Sequence, residues 1–371
     1  MSPHVTPIRY RSLQALRALA AVSVMLHNAN FAEVELLGRT NRFLPGASLG
    51  EVGVDLFFVL SGFLMVRTTG ATAAGAEASR RFLMSRALRI YPAYWTVALV
   101  WAGLLAVWPV LGLGRPAAGF LQSILLLPAE ARPQLAQGWS LVFEVYFYLV
   151  FGLMLLLPLV PRQWALTLWA AVLLVGVDAG FQGATPWTRL LANPLALEFL
   201  LGAAIAAVID RPPRWPWALL LFGGPVLFLG EYARTHLGEV AARSEMLRVL
   251  LVGAPAGAVV MGAVQLERLG RLRPPAWLTA LGARSYALYL VSNPVAALVA
   301  VGLAAAGLFT RGPAGDLLFV AAVVPGSLAL AQLVHVVIER PSQAWSQRQR
   351  ARAAAPVPPD ARPQDVPATT R

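Results

Sequence analysis

Long apolar runs alternate along this chain with short segments that carry arginine, and the length of the runs predicts their role. Trp95 to Leu113 and Leu149 to Val160 contain no charged residue. A helix that crosses a hydrocarbon core about 30 Å thick needs roughly 20 apolar residues. Runs of this kind lie near 12–30, 51–67, 91–112, 139–160, 164–181, 189–209, 215–230, 247–266, 279–304 and 316–338. The expected fold is an all-α integral membrane protein, one bundle of about ten transmembrane helices with no appended soluble domain. No internal repeat is visible, so an inverted-repeat transporter gains no support. From Gln347 onward the chain is mostly Ala, Pro, Arg and Asp without periodicity. The domain plan is therefore a membrane domain over 1–346 followed by a disordered tail over 347–371.

Composition and charge refine this picture. The 371 residues are 58% hydrophobic and 13% charged, with a mean hydropathy of +0.64, too apolar for a soluble domain of this length. A net charge of +12 would suggest nucleic acid in a soluble protein, but here the arginines fall between apolar runs rather than along one face. They read as topology signals, and no nucleic-acid partner is expected. With the N-terminus inside, the inner connections carry Arg80, Arg81, Arg86 and Arg89, then Arg162, then Arg211 and Arg214, then Arg268, Arg271 and Arg273. Both termini are then cytoplasmic, and the main outer loops are 31–50, 113–138 and 231–246. Arg9, Arg11 and Arg17 precede the first run without a nearby small-residue cleavage pattern, as in a retained signal anchor of a multi-pass protein of the bacterial inner membrane. The chain has no cysteine, which excludes a disulfide, a thiolate metal site and an acyl-thioester on the protein. No metal cluster or P-loop is visible, and Gly112, Gly114 and Gly119 lack the strand and helix context of a dinucleotide fingerprint.

Candidate chemistry comes from the ionisable residues inside runs, since each costs about 2.5–3.5 kcal/mol near a helix centre and needs a partner or a task. They are Arg17, His27, Asp55, Glu144, Glu198 and His335. At about 1.5 Å per residue, His27 lies roughly 21 Å along the first helix, in the outer third of the core. Asp55 and Glu144 lie about five residues below the outer ends of the second and fourth helices, at a comparable depth. A histidine held by a carboxylate can deprotonate an alcohol at neutral pH. His27 is the candidate base, Glu144 or Asp55 the candidate group that fixes its tautomer, and Arg86 and Arg89 the candidate cations for a donor's phosphates. Arg17 lies near the cytoplasmic face with them. Plainer readings stand beside these. His27 can be a packed or snorkelling residue, Asp55 and Glu144 a structural polar pair, and Arg80 to Arg89 a positive-inside loop. His335 and Glu339 are one helical turn apart and can pair. Tyr91, Tyr94, Trp95 and Trp139 suit an interfacial belt as well as a sugar platform, and Gly253 with Gly257 reads as close helix packing.

Five segments, in order, resemble the acyltransferase-3 family of membrane proteins. The first helix carries Leu13-Gln14-Ala15-Leu16-Arg17-Ala18-Leu19-Ala20-Ala21 leading to His27, the second Gly53-Val54-Asp55-Leu56-Phe57-Phe58-Val59-Leu60-Ser61-Gly62-Phe63-Leu64. Then come Arg86-Ala87-Leu88-Arg89-Ile90-Tyr91-Pro92-Ala93-Tyr94-Trp95, Trp139-Ser140-Leu141 with Glu144 and Phe147-Tyr148-Leu149, and a last span ending in Glu339-Arg340-Pro341. The resemblance implies a membrane O-acyltransferase that moves an acyl group, acetyl above all, from cytoplasmic acyl-CoA to a glycan hydroxyl, with no bound cofactor. It implies essential roles for Arg17 and His27 and donor contact by Arg86, Arg89 and Tyr91. Trp139, Ser140 and Tyr148 are the candidate acceptor contacts. The segment Asn193-Pro194-Leu195-Ala196-Leu197-Glu198-Phe199-Leu200-Leu201-Gly202 is similar to members that decorate exopolysaccharide, so polysaccharide-assembly machinery is a candidate partner. Two departures stand out. Members usually have ten residues between the first-helix Arg and His, whereas nine separate Arg17 from His27. That turns the two about 80° apart, so the sequence predicts either a local bulge or a loss of direct cooperation. Ser292 stands where many members carry a second His. The rival functional readings are a transporter or flippase that uses the buried charges as a relay, and a lapsed enzyme that serves as a scaffold.

Overall fold

The computed structural model describes residues 10–38, 46–69, 74–112, 116–178, 185–211, 213–238, 244–308 and 312–354. Described residues are helical throughout, apart from turns and one isolated bridge between Ala117 and Arg132. The long helices are α1 (Arg11–Leu37), α2 (Val52–Thr69), α3 (Ala76–Val107), α5 (Gly138–Met154) and α6 (Leu159–Asp178), with the short α4 (Phe120–Leu125) before α5. There follow α7 (Pro186–Leu191), α8 (Ala196–Val208), α9 (Pro216–His236), α10 (Glu245–Arg268), α11 (Ala276–Ala283), α12 (Ser285–Ala305) and α13 (Pro313–Val334). A π turn, His335–Glu339, joins α13 to α14 (Arg340–Ala354).

The described residues of the apolar runs are largely helical, with 139–160, 189–209 and 279–304 each divided between two helices and 179–181 outside the described residues. Among the described residues eight helices are long and apolar enough to cross a membrane. Two others fall short: α5 has 17 residues, and α1 is diluted by charge and polar side chains. The outer faces are apolar, as lipid contact requires. On α6, Trp164 is 71% and Val175 67% exposed.

Packing places α1 at the centre, against α2, α11 and α12. Its partner α2 lies along α8 so closely that both crossings are made by glycine. A Cβ on Gly62 would sit 1.8 Å from the Phe199 carbonyl oxygen, and one on Gly202 would sit 2.0 Å from that of Val59. Gly253 and Gly257 likewise abut Glu198 and Leu201 of α8, the close packing their spacing suggested. The core is a stack of Phe58, Phe199 and Phe147, with ring centroids 4.5 and 4.3 Å apart, that ties α2, α8 and α5 together.

Several boundaries differ from the sequence expectation. The first helix continues to Leu37, so loop 31–50 is shorter than expected, and its residues 39–45 lie outside the described ones. The 113–138 connection holds α4, whose last carbonyls accept three bonds from one face of α3. Tyr94 Oη donates to Ser123 (2.6 Å), Trp95 Nε1 to Ile124 (2.9 Å) and Tyr91 Oη to Leu125 (3.2 Å). Helix α14 runs through Ala354 into the segment expected to be tail, and 355–371 lie outside the described residues.

Candidate functional site

Helix α1 carries both functional candidates of the first motif on one unbroken α-helical segment. No bulge occurs between Arg17 and His27, so they stand about 15 Å apart along the axis and serve different cavities. Of the two outcomes the spacing allowed, the structure takes the loss of direct contact.

At one end of the bundle the start of α1, the end of α2, α3 and the end of α13 enclose a cavity of about 430 Å³. Arg17, Arg86, Arg89 and Arg340 line it together with His335. His335 is held by Glu339 (Nδ1 to Oε2, 2.5 Å), the pair expected from their spacing. Helix α14 closes the cavity on one side, tethered by Ser342 Oγ donating to the Leu88 carbonyl (2.5 Å).

Arg17 and Arg89 also line a second, narrow cavity of about 40 Å³ in the middle of the bundle. Arg17 is fixed by donating to Ser285 Oγ from Nε (3.1 Å) and Nη2 (2.9 Å). Glu144 faces the same space and accepts from Tyr148 Oη and from Ser61 Oγ (3.2 Å). The cavity has room for roughly three water molecules. Tyr289 bounds it, donating to the Gln137 carbonyl (3.0 Å) and therefore accepting from Ser140 Oγ (2.6 Å).

Tyr289 and Val54 line a third cavity as well, of about 270 Å³, and this one contains His27. Its walls include Glu51, Trp139, Gln137 and Arg132, the last two from the expected outer segment 113–138. The three cavities lie in series through the bundle, the first and second sharing Arg17 and Arg89, the second and third sharing Val54 and Tyr289.

His27 is positioned by backbone rather than by a carboxylate. Its Nδ1 lies 2.9 Å from the Ser48 carbonyl oxygen, an atom that only accepts. Nδ1 therefore donates a proton to this carbonyl, and Nε2 takes no part in the bond. Gly50 makes this turn possible, because a Cβ there would come 2.2 Å from the Ser23 carbonyl oxygen and 3.1 Å from His27 Cβ.

Neither carboxylate proposed to orient His27 does so. Glu144 belongs to the Arg17 and Arg89 cavity. Asp55 is 1% exposed and bonded at both oxygens by Arg248, from Nε (2.8 Å) and Nη2 (2.9 Å), and it lines none of the three cavities. Asp55 and Glu144 are not a mutual pair either. The depth argument compared levels along the membrane and carried no information about which helix faces which. The carboxylate that shares His27's cavity is Glu51, which also accepts from Arg248 Nη1 (3.2 Å). Glu51, Arg248, Tyr289 and Ser48 were not singled out from sequence. The signal was there for Glu51, one helical turn before Asp55 and so on the same face.

The other candidates divide. Trp139 lines the His27 cavity with its ring beneath the Arg248 guanidinium (5.7 Å), and Ser140 lines the middle one. Tyr148 supports Glu144 and lies under Arg86 (5.4 Å to its centroid). Tyr91 lines neither arginine cavity. It sits in the clamp on α4 and lines an apolar groove beside it, which shares Arg86 with the arginine cavity. Glu198 is fully buried and lines none of the three cavities. Ser292, where a second histidine was expected, accepts from Asn28 Nδ2 (2.8 Å), the neighbour of His27. Among the described residues no group of three or more His, Asp or Glu could hold a metal ion.

Apolar helices long enough to cross a membrane, packed around adjoining cavities with four arginines at one end and His27 at the other, define a multi-pass helical membrane protein. The chain belongs to the acyltransferase 3 family, whose model, an acyltransferase domain, matches residues 10–336. It is 33% identical over 297 residues to the exopolysaccharide production protein ExoZ of Rhizobium meliloti, which covers 74% of this chain and 87% of that protein. It is 29% identical over 395 aligned positions to the acyltransferase MdmB of Streptomyces mycarofaciens, which covers 96% and 97%. No solved structure matches the chain. The protein is thus a membrane acyltransferase that transfers groups other than aminoacyl groups.

Proposed function

We propose that this enzyme is an O-acyltransferase of the bacterial inner membrane that takes an acyl group, acetyl in the first instance, from cytoplasmic acyl-CoA and delivers it to a hydroxyl of an envelope glycan or exopolysaccharide. The observation that carries this reading is the series of three cavities from Arg17, Arg86, Arg89 and Arg340 to His27. Four arginines suit the phosphates of a CoA. The roughly 15 Å between Arg17 and His27 suits an extended pantetheine arm lying along α1. The middle cavity is too narrow for that arm as it stands, so Tyr289 and Glu144 must move aside for a donor to pass. At the far end His27 Nε2 takes the proton of the acceptor hydroxyl, whose oxygen attacks the thioester carbonyl. The C–S bond breaks and the CoA sulfur leaves as thiolate, taking from the His27 imidazolium the proton that the acceptor gave up. Trp139, Arg132 and Glu51 offer a stacking face and polar groups to a sugar. The arginine bias supports placing the Arg17 end, with both chain termini, in the cytoplasm. The named relative in exopolysaccharide production supports a glycan acceptor and assembly machinery as partner.

The test is the ester-linked acyl content of envelope and secreted polysaccharide, read by proton NMR, in cells lacking the gene and complemented with wild type or His27→Ala. Wild type should restore an acyl signal and His27→Ala should lower transfer by about 10²–10⁴-fold, the usual worth of a general base. An unchanged spectrum in all three strains would redirect the search to a small-molecule acceptor or a transported one.

A further inference from the structure

Away from the cavities of the reaction path, α6 stands off from the α2–α8 pair and leaves a cleft of about 480 Å³. Its walls are apolar, formed by Phe151, Leu166, Leu200 and Ala203, with Ala204 and Ala207 of α8 too small to fill it. At one end lies Arg162, in the first turn of α6 and only 4% exposed. Its Nη2 donates to the Leu157 carbonyl (3.1 Å), while its Nε has no hydrogen-bond partner. No aspartate or glutamate lines the cleft, and the other polar walls are Thr69, Gln163 and Thr167.

Arg162, like Arg17 on the reaction path, is a buried arginine with no carboxylate in an ion pair with it, whereas two others carry their counter-charges. Arg248 is matched by Asp55 and Glu51, and Arg234 by Glu231. A buried guanidinium without a counter-charge is costly, and it recruits an anion when one is at hand. Thr69 ends α2 and Val208 ends α8, so the charged end of the cleft lies at the same level as the arginine-rich end of the bundle. The apolar walls extend from there toward the middle of the membrane. A cation at the interface above an apolar trough has the polarity of a phospholipid, anionic head outside and chain inside.

We propose that this cleft is a binding site for an anionic phospholipid, with the headgroup phosphate on Arg162 beside Gln163 and Thr69, and one acyl chain laid between α6 and α8. The site is separate from the reaction path and does not depend on the acyl-transfer reading.

The experiment uses full-length protein, purified and delipidated in detergent, then titrated with phosphatidylglycerol, phosphatidylcholine or inorganic phosphate while thermal unfolding is followed. A lipid that binds only the folded state raises Tm by mass action. Phosphatidylglycerol is expected to raise it well beyond phosphatidylcholine, and inorganic phosphate to leave it unchanged. Arg162→Gln should weaken apparent affinity for phosphatidylglycerol about tenfold, the worth of one charge-assisted pair, and Arg162→Lys should keep part of it. Should Arg162→Gln not fold, Ala204→Trp fills the trough with the charge intact and should abolish the phosphatidylglycerol effect. Equal shifts from both lipids, an undiminished effect in Arg162→Gln or in Ala204→Trp, or a shift reproduced by inorganic phosphate would overturn the proposal.

Discussion

His27 and Asp55 are polar groups set in apolar helices, one held by a backbone carbonyl and the other by a buried arginine. His27 was identifiable as a costly polar group in an apolar helix, and its Nδ1 is bonded to the Ser48 carbonyl. Its anchor was invisible in the sequence, because a backbone carbonyl carries no side-chain signature. Asp55 was equally identifiable, yet its partner Arg248 is 193 positions away and lay in a segment read as an apolar span and nothing more. The geometry makes Asp55 a structural acid. Asp55→Ala should cost about 3–5 kcal/mol of stability, because it strands the buried Arg248 charge. Replacing both partners, as in Asp55→Leu with Arg248→Met, should restore part of that stability, Glu51 then losing its own arginine, and a measurable share of acyl transfer. Thermal unfolding and transfer assays on the single and double variants check this. Recovered stability with no recovered activity would return Asp55 to the chemistry.

At the level of elements, the helices were legible from run length, while their contacts were not. Whether two apolar helices touch depends on what they can bury between them, and in lipid small residues decide that. Gly62 and Gly202 stand in different motifs, and only the fold shows that each lies against the other helix's backbone. Gly62→Ala and Gly202→Ala should each destabilise by about 1–3 kcal/mol or more, since the obstructing atoms are carbonyls that cannot rotate away. Gly176→Ala is the control, with nothing within 4 Å of the added carbon. Size-exclusion profiles of the three variants after a temperature step should separate the first two from the third. The aromatic residues of α3 teach the same lesson. Tyr91, Tyr94 and Trp95 were read as an interfacial belt or a sugar platform, and Tyr91 also as a donor contact. Three neighbouring carbonyls at the end of α4 claim them instead, because α4 itself had no periodic signal long enough to be predicted.

For the molecule as a whole, the reaction path has a direction only once the two ends of the bundle are assigned to sides of the membrane. The start of α1 and the end of α13 open on the same cavity, so the chain enters and leaves the bundle at one end. The proposed function assigns that end to the cytoplasm, on the arginine bias, and His27, Trp139 and Arg132 to the opposite side. The chain has no cysteine, so a single substitution reports one position without background. Ala76→Cys, exposed at the start of α3, should resist a membrane-impermeant maleimide added to intact cells and react only after permeabilisation. Ala117→Cys, exposed before α4, should react in intact cells. The opposite pattern would place the four-arginine cavity on the outer face, out of reach of cytoplasmic acyl-CoA. The cavities would then have to serve a donor or an anionic cargo arriving from outside, and the transfer direction proposed for His27 would fail with them.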